Sequence, residues 1–469
     1  MNLRRLLRQR LSTPRPKWWM TLQLLLAGGR WSANIPQGIR RNLRRMIVGG
    51  ILENVSDAIV NTYQSVYLLT LGASRVEIGL LSSLSNFAMP VAMLPGGRLA
   101  TGRQTYKRLA ILPSFVGRAL LIGLIVLPYF GIPLRLLIYL AIAFAVGRAF
   151  LLHFANPAWT ALLGKSVPAR WRGRYFSARN IFMSGTAFVV LLLIGESIDR
   201  LGEPLGYQVA LGVAVAAALG AAYTLFHLEE PSPDVPPPGG LSAAGFWKRA
   251  RAQEGFLRLC TVSTLWSLGV NVASPFFLIF LVERVQVSAA TLGVVSAVST
   301  LAALPAQRLF GLWVDRKGTA WVQRLTGFLI PLVPALWSFI RHPWQAFSLQ
   351  AFGGFVWAGY NLAAFNLLLE VTPEDLRPRF VAFRQSLVGV GMAAGAALGG
   401  WIAERWGYTP VFLISAAGRL FAATIFALGM AGVDPRRRLQ RLGKKRLGKI
   451  TSRLKIEKKA QKAKEQQEQ

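Results

Sequence analysis

The sequence is poor in the residues that carry most enzyme and metal chemistry. Of 469 residues, one is cysteine, Cys260, and three are histidine. A single thiol excludes an intrachain disulfide, and His153, His227 and His342 stand too far apart to give a ligand spacing. No metal and no cofactor is expected. The chain has no phosphate-binding glycine loop and no nucleophile triad, which argues against an enzyme and against a pump driven directly by ATP. Carboxylates are scarce: 20 Asp and Glu face 54 Lys and Arg, for a formal net charge of +34. Charge of either sign is 16% of the chain, below the roughly 25% of soluble proteins.

What fills the chain is apolar. Hydrophobic residues make up 53%, and they sit in blocks such as Leu134–Val146, Val189–Ile194 and Val209–Leu225. Crossing a bilayer takes roughly 20 mostly apolar residues. In hydrocarbon every backbone polar group must be paired internally, by a helix or a closed barrel. Period-2 alternation is absent, so helices follow. Twelve spans read near 46–71, 77–100, 108–129, 134–157, 180–201, 206–227, 256–282, 288–313, 319–341, 344–370, 380–403 and 409–431. The expected fold class is all-α integral membrane.

A basic excess this large can mean nucleic acid. Its placement says otherwise. One set of loops holds Arg75, Arg135, Arg200, Arg284, Arg341 and Arg405, one each. The tails and the alternate loops hold the crowd. Cytoplasmic loops carry such an excess, so both termini are expected in the cytoplasm of a multi-pass cell-membrane protein. Nucleic acid is not an expected partner; the lipid bilayer is.

Composition divides the chain further. Residues 1–45 form a basic N-terminal segment. Its Lys17-Trp18-Trp19-Met20 and the apolar run to Ala27 read as an interfacial helix rather than a signal peptide. Residues 46–227 hold six spans. Residues 228–255 are a linker with Pro231, Pro233, Pro236, Pro237 and Pro238, which cannot continue a helix. Residues 256–431 hold six more spans, and 432–469 are a basic tail suited to anionic lipid headgroups.

The two sets of six are related. Pro168, Arg172, Arg174, Tyr175 and Arg179 recur as Pro373, Arg377, Arg379, Phe380 and Arg384, each 205 residues on. The same offset pairs Asn156 with Asn361. Such repeats are common in transporter folds. After the eighth span stands Gly311-Leu-Trp-Val-Asp315-Arg316-Lys317-Gly318. This resembles the G-x-x-x-D-[RK]-x-G signature of the major facilitator superfamily, as do the two Pro–Arg–x–Arg loops. The resemblance covers roughly residues 45–431. It implies two pseudo-symmetric six-helix halves and a latch at Asp315. The first-half copy has Thr101 where the aspartate is expected, which breaks the symmetry of that latch.

Polar residues inside the spans are the site candidates. Glu53, Asp57, Asn61 and Gln64 fall at i, i+4, i+8 and i+11 and so share one face of the first span. A charge at the bilayer centre costs roughly 2.5–3.5 kcal/mol on insertion scales, so it must face a cavity or a partner. Arg118 and Arg148 lie in the third and fourth spans, and one of them is expected to pair with Asp57. Asn271, 214 residues beyond Asp57, is its expected counterpart in the seventh span. Arg419 reads as peripheral and snorkelling. Trp313, Trp344, Trp401 and Tyr408 read as interface anchors. The glycines Gly391, Gly395, Gly399 and Gly400 read as a packing surface.

The function expected from this pattern is secondary transport of a small organic solute by alternating access. A carboxylate protonated on one side and ionised on the other would couple it to protons, with export favoured. The alternative is a non-transporting sensor or scaffold that uses its basic tail.

Overall fold

The computed structural model describes residues 35–101, 106–167, 171–229, 243–253, 255–372 and 377–429, with Leu24, Leu25, Gly29 and Ser32 besides. No strand occurs among them. The interfacial segment, Pro168, Pro373, the linker prolines and the basic tail lie outside the described residues.

Among the described residues nine long helices are continuous: α1 Gln37–Thr70, α2 Arg75–Thr101, α4 Leu134–Ser166, α5 Arg172–Leu201, α6 Leu205–Phe226, α8 Ala289–Lys317, α10 Pro343–Val371, α11 Arg377–Trp406 and α12 Tyr408–Gly429. Three are pieced. α3 joins Lys107–Ala119 to Leu121–Val126 and a 3-10 turn, Leu127–Phe130. α7 joins Phe256–Ala273 through the turn Ser274–Phe276 to Phe277–Glu283, and α9 joins Thr319–Leu329 to Leu332–Trp337. Pro275 and Pro331 stand at the breaks in α7 and α9. Proline lacks the N–H and clashes with the preceding turn.

Ten of these helices are long and apolar enough to cross a membrane. The other two are α1 and α9. α1 carries Glu53 and Asp57 behind a basic start that begins at Gln37, nine residues before the expected span. α9 is interrupted at its proline. The linker is not all irregular, because Ala243–Ala252 is helical. Its Phe246 lies 5.3 Å from Phe380 and its Trp247 5.2 Å from Phe383, ring to ring, which docks it on the second half.

The packing repeats as the sequence does. α1 packs on α5 and α6, as α7 packs on α11 and α12. α4 packs on α2 and α3, as α10 packs on α8 and α9. Between the halves α2 meets α11, and α5 meets α8. Gly391, Gly395 and Gly399 of α11 lie against α7, and Gly400 lies against α2. A Cβ on Gly395 would sit 2.3 Å from the Leu268 carbonyl oxygen, and one on Gly399 2.0 Å from that of Val272. Only glycine permits backbones this close.

The halves join at one end. Gly72, Gly202 and Gly407 mark that far end; the linker leaves from the other. One continuous apolar core runs through the far-end portions of both halves and includes Tyr63, Leu191, Phe276, Leu292, Trp337, Ile402 and Phe412. At the linker end the cores are separate, one around Met46 and Tyr175 and one around Phe256 and Phe380. α2 and α11 meet where Gly400 lies against Arg75 and Gly79, and again where Gly389 meets Met89 and Pro90.

Candidate functional site

The polar face of α1 does collect charge. Asp57 binds two arginines at once: Oδ2 accepts from Arg118 Nη2 at 3.0 Å and Oδ1 from Arg148 Nη2 at 2.5 Å. Glu53, one turn away, pairs with Arg118 Nη1 at 3.2 Å. The packing of α3 on α4 brings the two guanidiniums together. Their side chains are 7% and 10% exposed, against 34% for Asp57. The cations are buried, while the carboxylate that bridges them is partly exposed. The Nε atoms of Arg118 and Arg148 are buried and without a partner. Beside Glu53 and Arg118 lies a narrow cleft, lined also by Ser114, Phe115 and Trp159.

The other stripe residues divide. Asn61 is exposed and Gln64 buried. Asn271 is buried and donates to the Ser267 carbonyl of its own helix at 2.9 Å. That bond stays within α7. Asn54 pins α1 to α5 through the Met183 carbonyl at 2.9 Å.

At the linker end, Asp315 and Arg316 are exposed on the last turn of α8. Gly311 has open space around it, and Gly318 ends the helix at φ 93°, a left-handed value that glycine tolerates. Arg174 is exposed and lies 5.2 Å over the Trp171 ring. Arg379 is exposed too. Arg172 and Arg377 open α5 and α11, and their side chains lie outside the described residues.

Two expectations are corrected. Arg419 does not snorkel: it is 1% exposed, donates to the Val270 carbonyl at 3.2 Å and stands 6.0 Å over the Phe277 ring. Tyr408 is not an interface anchor. It is buried, and its hydroxyl donates to Glu283 at 2.8 Å. Trp344 and Trp401 are exposed as expected. Trp313 packs edge-on against Phe310 and Trp321.

Sequence reasoning missed the closure of the far end. Arg75 of α2 reaches across to Glu283 of α7, with Nη2 at 2.6 Å and Nε at 3.0 Å, and its guanidinium lies 4.8 Å over the Tyr408 ring. The Arg75 backbone N–H donates to Glu404 of α11 at 3.2 Å. On the other seam, Asp199 of α5 accepts from the backbone N–H groups of Ala289 and Ala290 at 2.8 and 2.9 Å. Each carboxylate sits at the N-terminus of a helix in the opposite half, where the helix dipole favours an anion. The internal repeat carried the signal. The 205 offset pairs Gly195-Glu-Ser-Ile-Asp199-Arg200-Leu-Gly202 with Gly400-Trp-Ile-Ala-Glu404-Arg405-Trp-Gly407, and the 214 offset pairs Arg75 and Gly79 with Ala289 and Gly293. The glycines let the backbones meet. A Cβ on Gly79 would lie 2.7 Å from Gly400 Cα, and one on Gly195 2.6 Å from Ala290 Cα.

Two six-helix halves, joined at one end of the membrane and parted at the other, with buried charge between their helices, define a secondary transporter. The chain belongs to the Major Facilitator Superfamily, whose sequence model matches residues 46–279 and 259–463. It is 22% identical over 387 residues to the multidrug resistance protein MdtG of Dickeya zeae (strain Ech586), covering 81% of this chain and 91% of that one. The MdtG of Enterobacter lignolyticus (strain SCF1) is 22% identical over 411 residues, covering 85% and 94%. Among solved structures, a bacterial homologue of the iron transporter ferroportin, inward-facing, superposes with TM-score 0.66 at 13% identity, over 82% of this chain and 97% of that one. A bacterial homologue of the human lysosomal transporter Spinster, inward-facing and occupied, gives 0.63 at 12%, over 90% and 98%. The nucleoside transporter NupG gives 0.62 at 14%, over 82% and 98%. The chain is thus a multi-pass membrane protein, set in a lipid bilayer and carrying a small-molecule substrate.

Proposed function

We propose that the protein exports a small organic compound from the cytoplasm by alternating access, coupled to protons through Asp57. Both termini and the linker end face the cytoplasm in this reading, as the sorting of cations by loop supports. The conformation described is then open to the cytoplasm and closed outside by Arg75–Glu283, Asp199 and Glu404. Export is supported by the names of the curated relatives, which are multidrug resistance proteins.

The observation that carries the coupling is a single, partly accessible carboxylate holding two buried guanidiniums. Protonation of Asp57 removes the charge that binds Arg118 and Arg148. Two sealed cations then repel each other, and Glu53 balances one of them. A proton arriving from one side can therefore rearrange the contacts of α1, α3 and α4, the step that alternating access requires.

The test is transport in proteoliposomes of a compound that the protein moves, with and without a pH gradient. Asp57→Asn is expected to abolish gradient-driven accumulation while retaining some downhill exchange. Full gradient-driven accumulation by Asp57→Asn would overturn the coupling role.

A further inference from the structure

α7 is broken, and α1, its repeat, is not. Pro275 offers no N–H to the Asn271 carbonyl, and the first piece of α7 stops at Ala273. The residue 214 before Pro275 is Asn61, inside a continuous α1. The break divides α7 by what holds it. The near piece, Phe256–Ala273, is fixed to its own half through backbone. Gly391, Gly395 and Gly399 of α11 lie on the carbonyls of Thr264, Leu268 and Val272, and Gly418 of α12 lies on Gly269. The far piece, Phe277–Glu283, reaches the other half: it packs on α1 and ends in the contact of Glu283 with Arg75. Within its own half it is held by rings. Phe277 lies 4.7 Å from Trp337 and stacks on Phe412 at 5.3 Å.

Arg419 of α12 crosses the break. On the near side it donates to the Val270 carbonyl at 3.2 Å, and on the far side its guanidinium stands 6.0 Å over the Phe277 ring. Ser415, one turn before, donates to the Gly269 carbonyl at 2.6 Å. The first half has neither side chain. Tyr207, Ala210, Leu211, Ala214 and Ala218 of α6 match Tyr408, Val411, Phe412, Ser415 and Arg419 of α12, each 201 residues on, and all ten are buried. Alanine stands in the helix that packs on continuous α1; serine and arginine stand in the helix that packs on broken α7. Packing does not require the arginine, since alanine serves at the same place in α6. A cation buried in a span is costly, and among the described residues its contacts are a carbonyl and a ring rather than a carboxylate.

We propose that Arg419 is a positioning residue for the far-end gate. It pins the far piece of α7 in the closed state, so that Glu283 stands where Arg75 can meet it. The break lets that piece swing outward when the pin gives. The guanidinium acts through Phe277 and meets no substrate. This assignment rests on the alternating-access reading and adds a moving part to it: the far end opens at α7 as well as by the rocking of the halves.

The test reads the gate without substrate, by distances between spin labels on the full-length protein in nanodiscs. One pair, Phe130→Cys with Arg284→Cys, runs from the end of α3 to the end of the far piece. The reference pair, Phe130→Cys with Phe339→Cys, joins the same two halves and leaves α7 out. All three positions are exposed, and Cys260 is buried. Arg419→Met is expected to raise the open population of the first pair roughly ten-fold, the worth of one hydrogen bond from a charged group. The reference pair is expected to stay. Arg419→Lys should keep part of the pin, and Ser415→Ala should move the first pair the same way by less. A structural role alone would lower the melting temperature of Arg419→Met and leave both pairs unmoved, which overturns the proposal. Equal movement of the two pairs overturns it too, because the halves would then have moved as wholes. Should Arg419→Met fail to fold, Ser415→Ala decides, and an unmoved first pair in that folded variant counts against the pin. Unmoved distances leave alternating access standing, and failure of transport leaves the measured distances standing.

Discussion

Asp57 was legible in the sequence because a carboxylate in a span is rare and costly. The four-residue spacing gave its face. Arg118 and Arg148 were legible for the same reason. What spacing could not give is the arrangement, one carboxylate between two arginines with Glu53 sharing one of them. Arg419 shows the limit more plainly. α12 is apolar all round, so no stripe tells its bundle face from its lipid face, and a buried arginine reads like a peripheral one. The geometry predicts a stability effect. Removing one partner of a buried pair costs up to about 3–5 kcal/mol, because the charge left behind is unpaired. Asp57 is 34% exposed, so water softens the loss to about 2 kcal/mol. Asp57→Asn should therefore lower the melting temperature. Adding Arg148→Met, which removes a stranded cation, should recover part of it. A double variant no more stable than Asp57→Asn alone would mean that Arg148 does not depend on Asp57.

At the scale of elements, the span count followed from hydropathy, and the pairing of helices followed from the repeat. The broken α9 did not follow, because a proline in an apolar run can kink a helix or end a segment. The far-end seam was written in the same repeat, but its caps are backbone N–H groups, which leave no trace in side-chain patterns. Those caps carry a prediction. An anion at a helix N-terminus contributes typically 0.3–1 kcal/mol, and up to about 2 when partly buried. Asp199→Asn weakens the cap on α8, so the closed far end should open more often, about fivefold if 1 kcal/mol is lost. With Ala290→Cys as reporter, a membrane-impermeant maleimide applied at the far end should react faster in the Asp199→Asn background. Equal rates would show that the cap does not hold the seam. Cys260 is buried and contributes little background.

For the whole molecule, the scaffold is duplicated and the charge is not. Among the described residues, carboxylates sit inside the first bundle and are absent from the interior of the second, so the halves supply the same motion and different chemistry. The repeat made the scaffold legible; only the burial of particular side chains locates the difference. Rigid-body rocking requires the far-end seam to open and the linker end to close in each cycle. A bifunctional thiol reagent bridging Asp199→Cys and Ala290→Cys should therefore stop transport, and reduction of a cleavable bridge should restore it. The substitutions alone should reduce transport far less than the bridge does. Removal of residues 436–469 should leave transport largely intact, since the seams and the charged sites all lie between Gln37 and Gly429. A truncated protein that is folded but inactive would move the function to the basic tail, as a scaffold requires. An active bridged protein would exclude rocking about this seam. The two experiments separate a carrier from a scaffold because one acts on the motion and the other on the tail.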